Sequence, residues 1–268
     1  MLGTNQEVDM THTLTTPVPS RVPLEPRQYT LRGILGVWAA AAVPMGLLAW
    51  VVAPLWASTL EGPAALPRAL LACLTAGLVW QGLLVAVLVA REAPNLRWST
   101  LADLLWLHRP SSPRTGRVGG RVWWVLVPAI LVVGVAQLLP SLPAIGGRDL
   151  GTLFRSAEGQ DFLSGNWSWF AVIVVMAVFN TVVGEELLFR GVLLPRMRGV
   201  FGRGDWVANG VLFAAYHLHM PWSIPKILLD TFALALPSRR YRSAWLGIIV
   251  HSIQSVIIVG ASLALVLR

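Results

Sequence analysis

The sequence predicts an all-α fold, a polytopic bundle of transmembrane helices with a polar site in its last helices. Hydrophobic residues make up 55% of the 268 residues and charged residues only 13%. The mean hydropathy of +0.64 is too high for an ordinary soluble domain. The apolar residues are gathered in runs of about 20 or more, the length of helix that crosses a bilayer. These observations indicate an integral membrane protein that crosses the cell membrane several times.

The basic residues predict which ends of these helices are cytoplasmic. The formal net charge is +8, and every basic residue except Lys226 is an arginine. The arginines cluster between apolar runs, above all in 91–121, 190–203 and 239–242. This distribution is typical of cytoplasmic loops under the positive-inside rule and does not indicate a nucleic-acid partner. We expect the inner or plasma membrane as the location, with the N-terminus in the cytoplasm.

Taken in order, the chain predicts about seven spans, with a range of about six to eight. Residues 1–32 are polar and contain prolines, which predicts a disordered cytoplasmic tail before a transmembrane domain at 33–268. A short amphipathic helix that begins near Trp98 is expected at the membrane interface. Segments 207–219 and 223–236 are short and predict either two shortened helices or a broken pair. The predicted spans are 33–56, 66–90, 122–142, 168–189, 207–219, 223–236 and 244–267.

Ionisable residues interrupt the last of these apolar runs. Glu185 and Glu186 end the fourth span, His217 lies in the fifth and His251 in the last. A charge inside a bilayer costs roughly 2.5–3.5 kcal/mol on insertion scales, so such residues usually face a partner or a wet cavity. Depths counted at about 1.5 Å per residue place all of these groups in the cytoplasmic half. We therefore expect them to meet at one site.

The two adjacent glutamates are expected to have different surroundings. Neighbouring residues on a helix point about 100° apart. Glu186 and Arg190 are i,i+4 and can form an ion pair, which leaves Glu185 as the candidate general base. The structural alternative is a salt bridge at a helix end with a spare carboxylate, and each lone histidine can equally be a satisfied core residue.

Three motifs in the last third of the chain resemble those of a known family. Glu185, Glu186 and Arg190 stand in the order EExxxR, and Phe213 and His217 in the order FxxxH. Both resemble motifs of the CPBP family, the CAAX-protease and bacteriocin-processing (abortive-infection) intramembrane proteases. The third motif is a histidine followed four residues later by Asn or Asp. His251 fits it, but Ser255 occupies the second position. The resemblance covers about 180–256, within a motif core of about 168–267.

The resemblance implies an intramembrane endopeptidase that acts on hydrophobic or lipidated peptides or proteins in the bilayer. In that family the first glutamate and the first histidine activate water, roles that fall here to Glu185 and His217. His251 and its i+4 partner, Ser255, would stabilise the oxyanion, with Gln254 as a longer donor on nearly the same face. Glu186 and Arg190 would support the site. We expect this site to open to the cytoplasm.

Alternatives remain for the cofactor and for the function. We expect no required cofactor, but Glu185, His217 and His251 are also three potential zinc ligands with an open position for water. A non-proteolytic immunity or scaffold protein, or a small transporter, would keep the polar cluster for structure. Ser255 favours an inactive protein, whereas the lack of a visible inverted repeat counts against transport. The sequence indicates no oligomeric state.

Two further groups of polar residues are assigned no role in the site. Lys226 and Asp230 are i,i+4 in the sixth segment and are expected to form a structural ion pair. His219 lies about 200° from His217 on a regular helix, so we expect it to face elsewhere.

Overall fold

The computed structural model describes residues 23–62, 64–139 and 142–268. These residues form helices and connecting segments, and the described ranges contain no β-strand. Their one β-type pairing is an isolated antiparallel bridge between Ser111 and Val118. The predicted all-α class is therefore confirmed.

The helices pack into one bundle, and a few short 3₁₀ turns connect them. The turns relevant to the site are His217–His219 and Pro221–Ser223. In chain order the helices are α1 (Leu31–Ala57), α2 (Ala65–Glu92), α3 (Trp98–Leu104), α4 (Gly120–Leu138), α5 (Gly151–Arg155), α6 (Ala157–Leu163), α7 (Trp167–Arg196), α8 (Arg198–Phe201), α9 (Asp205–Tyr216), α10 (Ile224–Tyr241) and α11 (Ala244–Val266).

Five helices of the described residues are long and apolar enough to cross a membrane, namely α1, α2, α4, α7 and α11. This supports a multi-pass membrane protein. The predicted count of about seven is not confirmed, because α9 and α10 do not meet the same criteria. Helix α9 has 12 residues, a length of about 18 Å. Helix α10 carries Lys226, Asp230 and Arg239, which lower its hydropathy.

One end of the bundle carries the arginine-rich segments, and we call it the arginine face. The end of α10 and the start of α11 are joined there to the segment after α3. Ala244 N–H donates to Trp106 O at 2.8 Å, and Ser111 N–H donates to Tyr241 O at 3.0 Å. Arginines in the loops and helix ends at this face include Arg91, Arg97, Arg109, Arg114, Arg117, Arg121, Arg198, Arg203, Arg239, Arg240 and Arg242.

The described part of the predicted tail also lies against the arginine face. Residues 1–22 of that tail are outside the described residues. From residue 23 onward the chain is bonded to the bundle, because Leu24 N–H donates to Asp103 Oδ2 at 3.0 Å and Tyr29 N–H donates to Arg196 O at 3.0 Å. The domain boundary at residue 32 stays a prediction.

The other end of the bundle, which we call the opposite face, is formed by 58–62, 142–166 and the end of α11. Gly165 N–H donates to Val266 O at 3.0 Å and so joins the start of α7 to the end of α11. Arg148 enters the bundle from this face, where its Nη1 donates to Ala49 O at 2.6 Å. These bonds hold the loop between α4 and α7 over the helix ends.

Helix α7 departs from regular α-helical winding at the place where its charges begin. Two π-helical segments, Phe179–Val183 and Leu187–Leu193, flank Gly184, Glu185 and Glu186. Wider π-helical turns re-aim side chains and occur often at functional sites. A Cβ on Gly184 would lie 2.5 Å from Phe179 O and 3.1 Å from the Leu78 carbonyl oxygen of α2. Only glycine fits this contact without a shift, and it brings the two helices together beside the glutamates.

Candidate functional site

A cavity of about 500 Å³ lies inside the bundle among α1, α2, α7, α9, α10 and α11. Its wall is mainly apolar, from side chains such as Leu74, Leu78 and Met176. Ionisable side chains from four helices, α5, α7, α10 and α11, and from two connecting segments interrupt this apolar wall. Apart from those in the segment between α4 and α7, the ionisable lining residues are Glu185, His217, His219, Lys226, Asp230 and His251.

Behind one wall of the cavity, Glu186 contacts both Arg190 and His251. Its Oε1 lies 3.1 Å from Arg190 Nη1 and accepts a hydrogen bond from His251 Nδ1 at 3.1 Å. The side chains of Glu186 and Arg190 are both 0% exposed. The predicted i,i+4 ion pair is thus present, and it also holds a histidine of α11. A buried charge needs such partners, since an isolated one is very costly.

Close packing against Gly247 and Phe213 gives this cluster its shape. A Cβ on Gly247 of α11 would overlap Glu186 Oε2 and would lie 3.2 Å from Arg190 Cγ. On the other side, the Arg190 guanidinium carbon lies 4.1 Å from the centroid of the Phe213 ring, within range of a cation–π interaction. Arg190 is therefore held between a carboxylate and an aromatic face.

Glu185 points away from this cluster and towards α9. Its Oε1 lies 3.9 Å from His217 Nε2, and it is hydrogen-bonded to the Tyr216 hydroxyl. The same hydroxyl oxygen accepts a hydrogen bond from Gln81 Nε2 at 2.6 Å, so its own hydrogen is directed to Glu185. This chain of donors fixes the Glu185 carboxylate from two other helices, α2 and α9.

The position of His217 determines which of its ring nitrogens carries hydrogen. Nδ1 lies 2.8 Å from Phe213 O, and a carbonyl oxygen can only accept, so Nδ1–H is the donor. In the neutral ring, Nε2 then has a free lone pair. Nε2 and Glu185 Oε1 are therefore two acceptors that face each other at 3.9 Å, too far apart for a direct hydrogen bond.

Of the two residues of the third motif, His251 lines the cavity and Ser255 is buried outside its lining. His251 lines the cavity, and its Nδ1 is bonded to Glu186. Ser255 is buried, with 7% exposed, and is not among the lining residues of the described ranges. Gln254 does line the cavity. The structure thus brings Glu185, His217 and His251 to one cavity, while the part predicted for Ser255 stays a prediction.

Several lining or supporting residues were missed from the sequence. His219 lines the cavity, and its ring stacks on His217 with centroids 5.3 Å apart. Asp230 also lines the cavity, and its Oδ1 is buried without a hydrogen-bond partner. Gln81 and Tyr216 support Glu185. In the sequence, only their polarity and position could have indicated a role. Gln81 is a polar residue in the middle of an apolar run, and Tyr216 directly precedes His217.

The candidate zinc ligands are not gathered into a preformed cluster within the described residues. No group of three or more His, Cys, Asp or Glu side chains in these ranges is arranged to hold a metal ion. Two of the candidate ligands have one ring nitrogen occupied, since His217 Nδ1 bonds Phe213 O and His251 Nδ1 bonds Glu186. Because a histidine that binds a metal through Nε2 commonly donates its Nδ1–H in this way, the zinc alternative raised by the sequence stays a prediction.

Comparison with known proteins identifies the part of the chain that contains this site. Residues 167–257 match the family model Rce1-like, described as type II CAAX prenyl endopeptidase Rce1-like. The match begins at the first residue of α7, ends within α11 and confirms the predicted family resemblance. Searches of curated proteins and of solved structures gave no match. The matched segment contains Glu185, Glu186, Arg190, His217, His251 and Ser255.

The tight contact at Gly247 leads to a testable prediction. The substitution Gly247→Ala places a methyl group on Glu186 Oε2 and should push the carboxylate away from Arg190 and His251. We expect a loss of roughly 1–3 kcal/mol of stability, as is usual for overpacking, measured as a lower thermal unfolding temperature in detergent micelles. The matched control is Gly260→Ala on the same helix, where a Cβ meets no atom within 4 Å. Equal unfolding temperatures for the two variants would contradict this packing.

Proposed function

From the Rce1-like domain that the chain carries, we propose that the protein is an intramembrane endopeptidase that hydrolyses peptide bonds of hydrophobic or lipidated peptides and proteins. The observation that carries the proposal is the pair of acceptors, Glu185 Oε1 and His217 Nε2, held 3.9 Å apart at the wall of a cavity. Glu185 comes from α7 and His217 from the 3₁₀ turn that follows α9, and each is held in place by further hydrogen bonds. We also propose that the arginine face is cytoplasmic, in accordance with the positive-inside rule.

The two facing acceptors are suited to binding the nucleophilic water. A polar contact beyond about 3.5 Å is often bridged by water, and one water molecule has a hydrogen for each acceptor. Glu185 removes a proton as the water oxygen attacks the carbonyl carbon of the substrate. The same proton then goes to the leaving nitrogen when the C–N bond breaks. General-base catalysis of this kind contributes about two to four decades of rate.

Donors on α11 are suited to stabilising the oxyanion of the tetrahedral intermediate. When the ring of His251 is protonated on both nitrogens, its Nδ1–H donates to Glu186 and its Nε2–H is available to a ligand in the cavity. The amide of Gln254 reaches the same cavity. Removal of one oxyanion donor costs roughly 2.7–4 kcal/mol in known hydrolases. Glu186 and Arg190 act through His251 and are positioning residues.

A non-proteolytic scaffold or immunity protein is the second candidate. The buried contact of Glu186 with Arg190 and His251 ties α7 to α11, and it would serve a purely structural protein equally well. The two candidates differ in what they require of Glu185, which among the described residues contributes to no ion pair except its 3.9 Å approach to His217. A structural protein does not need the carboxylate of Glu185 to be ionised or basic.

The first prediction of the proposed mechanism concerns Glu185 and His217. Glu185→Gln and His217→Ala should each lower kcat/KM by about 10²–10⁴-fold, because each removes an acceptor for the attacking water. Activity is measured in liposomes on quenched fluorescent peptides, with and without a farnesylated cysteine. Thermal unfolding checks that the variants fold, and Glu61→Gln, at an exposed position, is the matched control.

The same assay distinguishes Glu185 as the general base from a zinc-dependent mechanism. Wild-type turnover by folded Glu185→Gln protein would rule out Glu185 as the base. Full activity after prolonged treatment with 1,10-phenanthroline is the expected result for a base mechanism, whereas loss of activity that zinc restores would favour the metal alternative.

A second prediction compares the neighbours Gln254 and Ser255. Because Gln254 lines the cavity and Ser255 does not, Gln254→Ala should lower kcat by about 10²-fold, as expected for loss of an oxyanion donor. Ser255→Ala should leave kcat nearly unchanged. Steady-state kinetics on the same peptides measure both. The reverse order of effects would assign the donor to Ser255, as the motif resemblance implies.

A further inference from the structure

The cavity leads from the proposed active site towards the opposite face, not towards the arginine face. On α2 it is lined by Leu71, Leu74 and Leu78, all in the half of the helix that begins at the opposite face. On α11 it is lined by Gln254 at the middle of the helix and by Ile257, Ile258 and Ala261 in the half that ends at the opposite face. The segment between α4 and α7, which includes α5, contributes Arg148, Asp149 and Arg155 to the lining. If the arginine face is cytoplasmic, this direction differs from the opening to the cytoplasm that the sequence led us to expect.

The exposed part of the lining marks the mouth of the cavity. Gln137 at the end of α4, Arg155 of α5, and Gln254 and Ile257 of α11 are exposed and line the cavity. Glu185, Tyr216 and His217 at the inner end are buried. The mouth therefore lies between the end of α4 and the middle of α11, beside α5, on the side of Glu185 that is away from the arginine face.

Between Glu185 and the arginine face the interior is closed by packed side chains. Leu188, Phe189, Val192 and Leu193 of α7 are all 0% exposed. No residue of the loops 93–119, 197–204 or 239–243 lines the cavity. Interiors packed in this way have few voids as large as a water molecule, so they leave no path for a peptide.

Arg196 strengthens this closure at the end of α7. It is 0% exposed, its Nη1 donates to Leu104 O at 3.1 Å and to Val192 O at 2.8 Å, and its Nη2 lies 2.8 Å from Glu92 Oε2. An arginine with these partners ties α7 to α2 and α3. Opening a passage on this side would break all of these contacts together.

We infer that substrates enter from the side of the membrane opposite the arginine-rich loops. The inference rests on the proposed peptidase function and specifies its substrate class. If the arginine face is cytoplasmic, the cleaved bond belongs to an exported peptide, or to a membrane protein segment near the outer leaflet. A lipidated C-terminus held at the cytoplasmic leaflet would not reach Glu185 through the mouth of the cavity.

Cysteine labelling tests the side of entry without relying on activity. In a Cys73→Ser background, which removes the single native thiol, Ile257→Cys places a thiol at the mouth of the cavity. The matched control is Val256→Cys, whose side chain is 70% exposed but does not line this cavity. Arg114→Cys reports the arginine face. Each variant is treated with a membrane-impermeant maleimide in spheroplasts and in inside-out vesicles of an expressing bacterium.

The labelling outcomes decide the inference separately from the proposed function. We expect Ile257→Cys to react in spheroplasts and Arg114→Cys to react only in inside-out vesicles, with Val256→Cys unreactive in both because it faces lipid. Reaction of Ile257→Cys on the same side of the membrane as Arg114→Cys would overturn the inference. Failure of the peptidase assay leaves this labelling result unaffected, so the two proposals fail independently.

Discussion

The buried carboxylate of Glu186 is the constraint on which the rest of the site depends. It is 0% exposed and shares its Oε1 with Arg190 and His251, while Gly247 leaves room for its other oxygen. Removing one partner from such a buried pair typically costs about 3–5 kcal/mol, because it leaves an uncompensated charge. The packing of α7 against α11 is therefore specified closely. The neighbouring Glu185 is consequently directed into the cavity, where a reactive carboxylate is useful.

The two adjacent glutamates have different surroundings, because Glu186 is held in a buried ionic cluster and Glu185 lines the cavity. The π-helical segments around Gly184–Glu186 change the direction of successive side chains, so one carboxylate meets α11 and the other meets α9. Gln81 and Tyr216 then orient Glu185 from outside its own helix. The buried side chains of α7 beyond Glu186, together with the contacts of Arg196, close the interior towards the arginine face.

Much of this could be predicted from local sequence patterns. Long apolar runs gave the all-α class and the five longest spans, and i,i+4 spacing gave the Glu186–Arg190 pair. The span count was less accessible because α9 and α10 are short or polar and lie partly inside the bundle. Gln81 and Tyr216 are 135 residues apart, and no local pattern reports such a contact. His219 was misplaced because His217–His219 forms a 3₁₀ turn, not a continued α-helix. The direction of the cavity depends on how side chains pack, and this packing cannot be deduced from the depth of each residue along its helix.

The most direct test of the mechanism is an experimental structure of the protein with a bound phosphinate peptide, a tetrahedral analogue of the hydrated peptide bond. We expect one phosphinate oxygen between Glu185 and His217, and the other within hydrogen-bond distance of His251 or Gln254. The peptide should leave the site through the mouth beside α5. A phosphinate bound elsewhere, or one held by a metal ion between Glu185 and His217, would contradict direct activation of water by the glutamate.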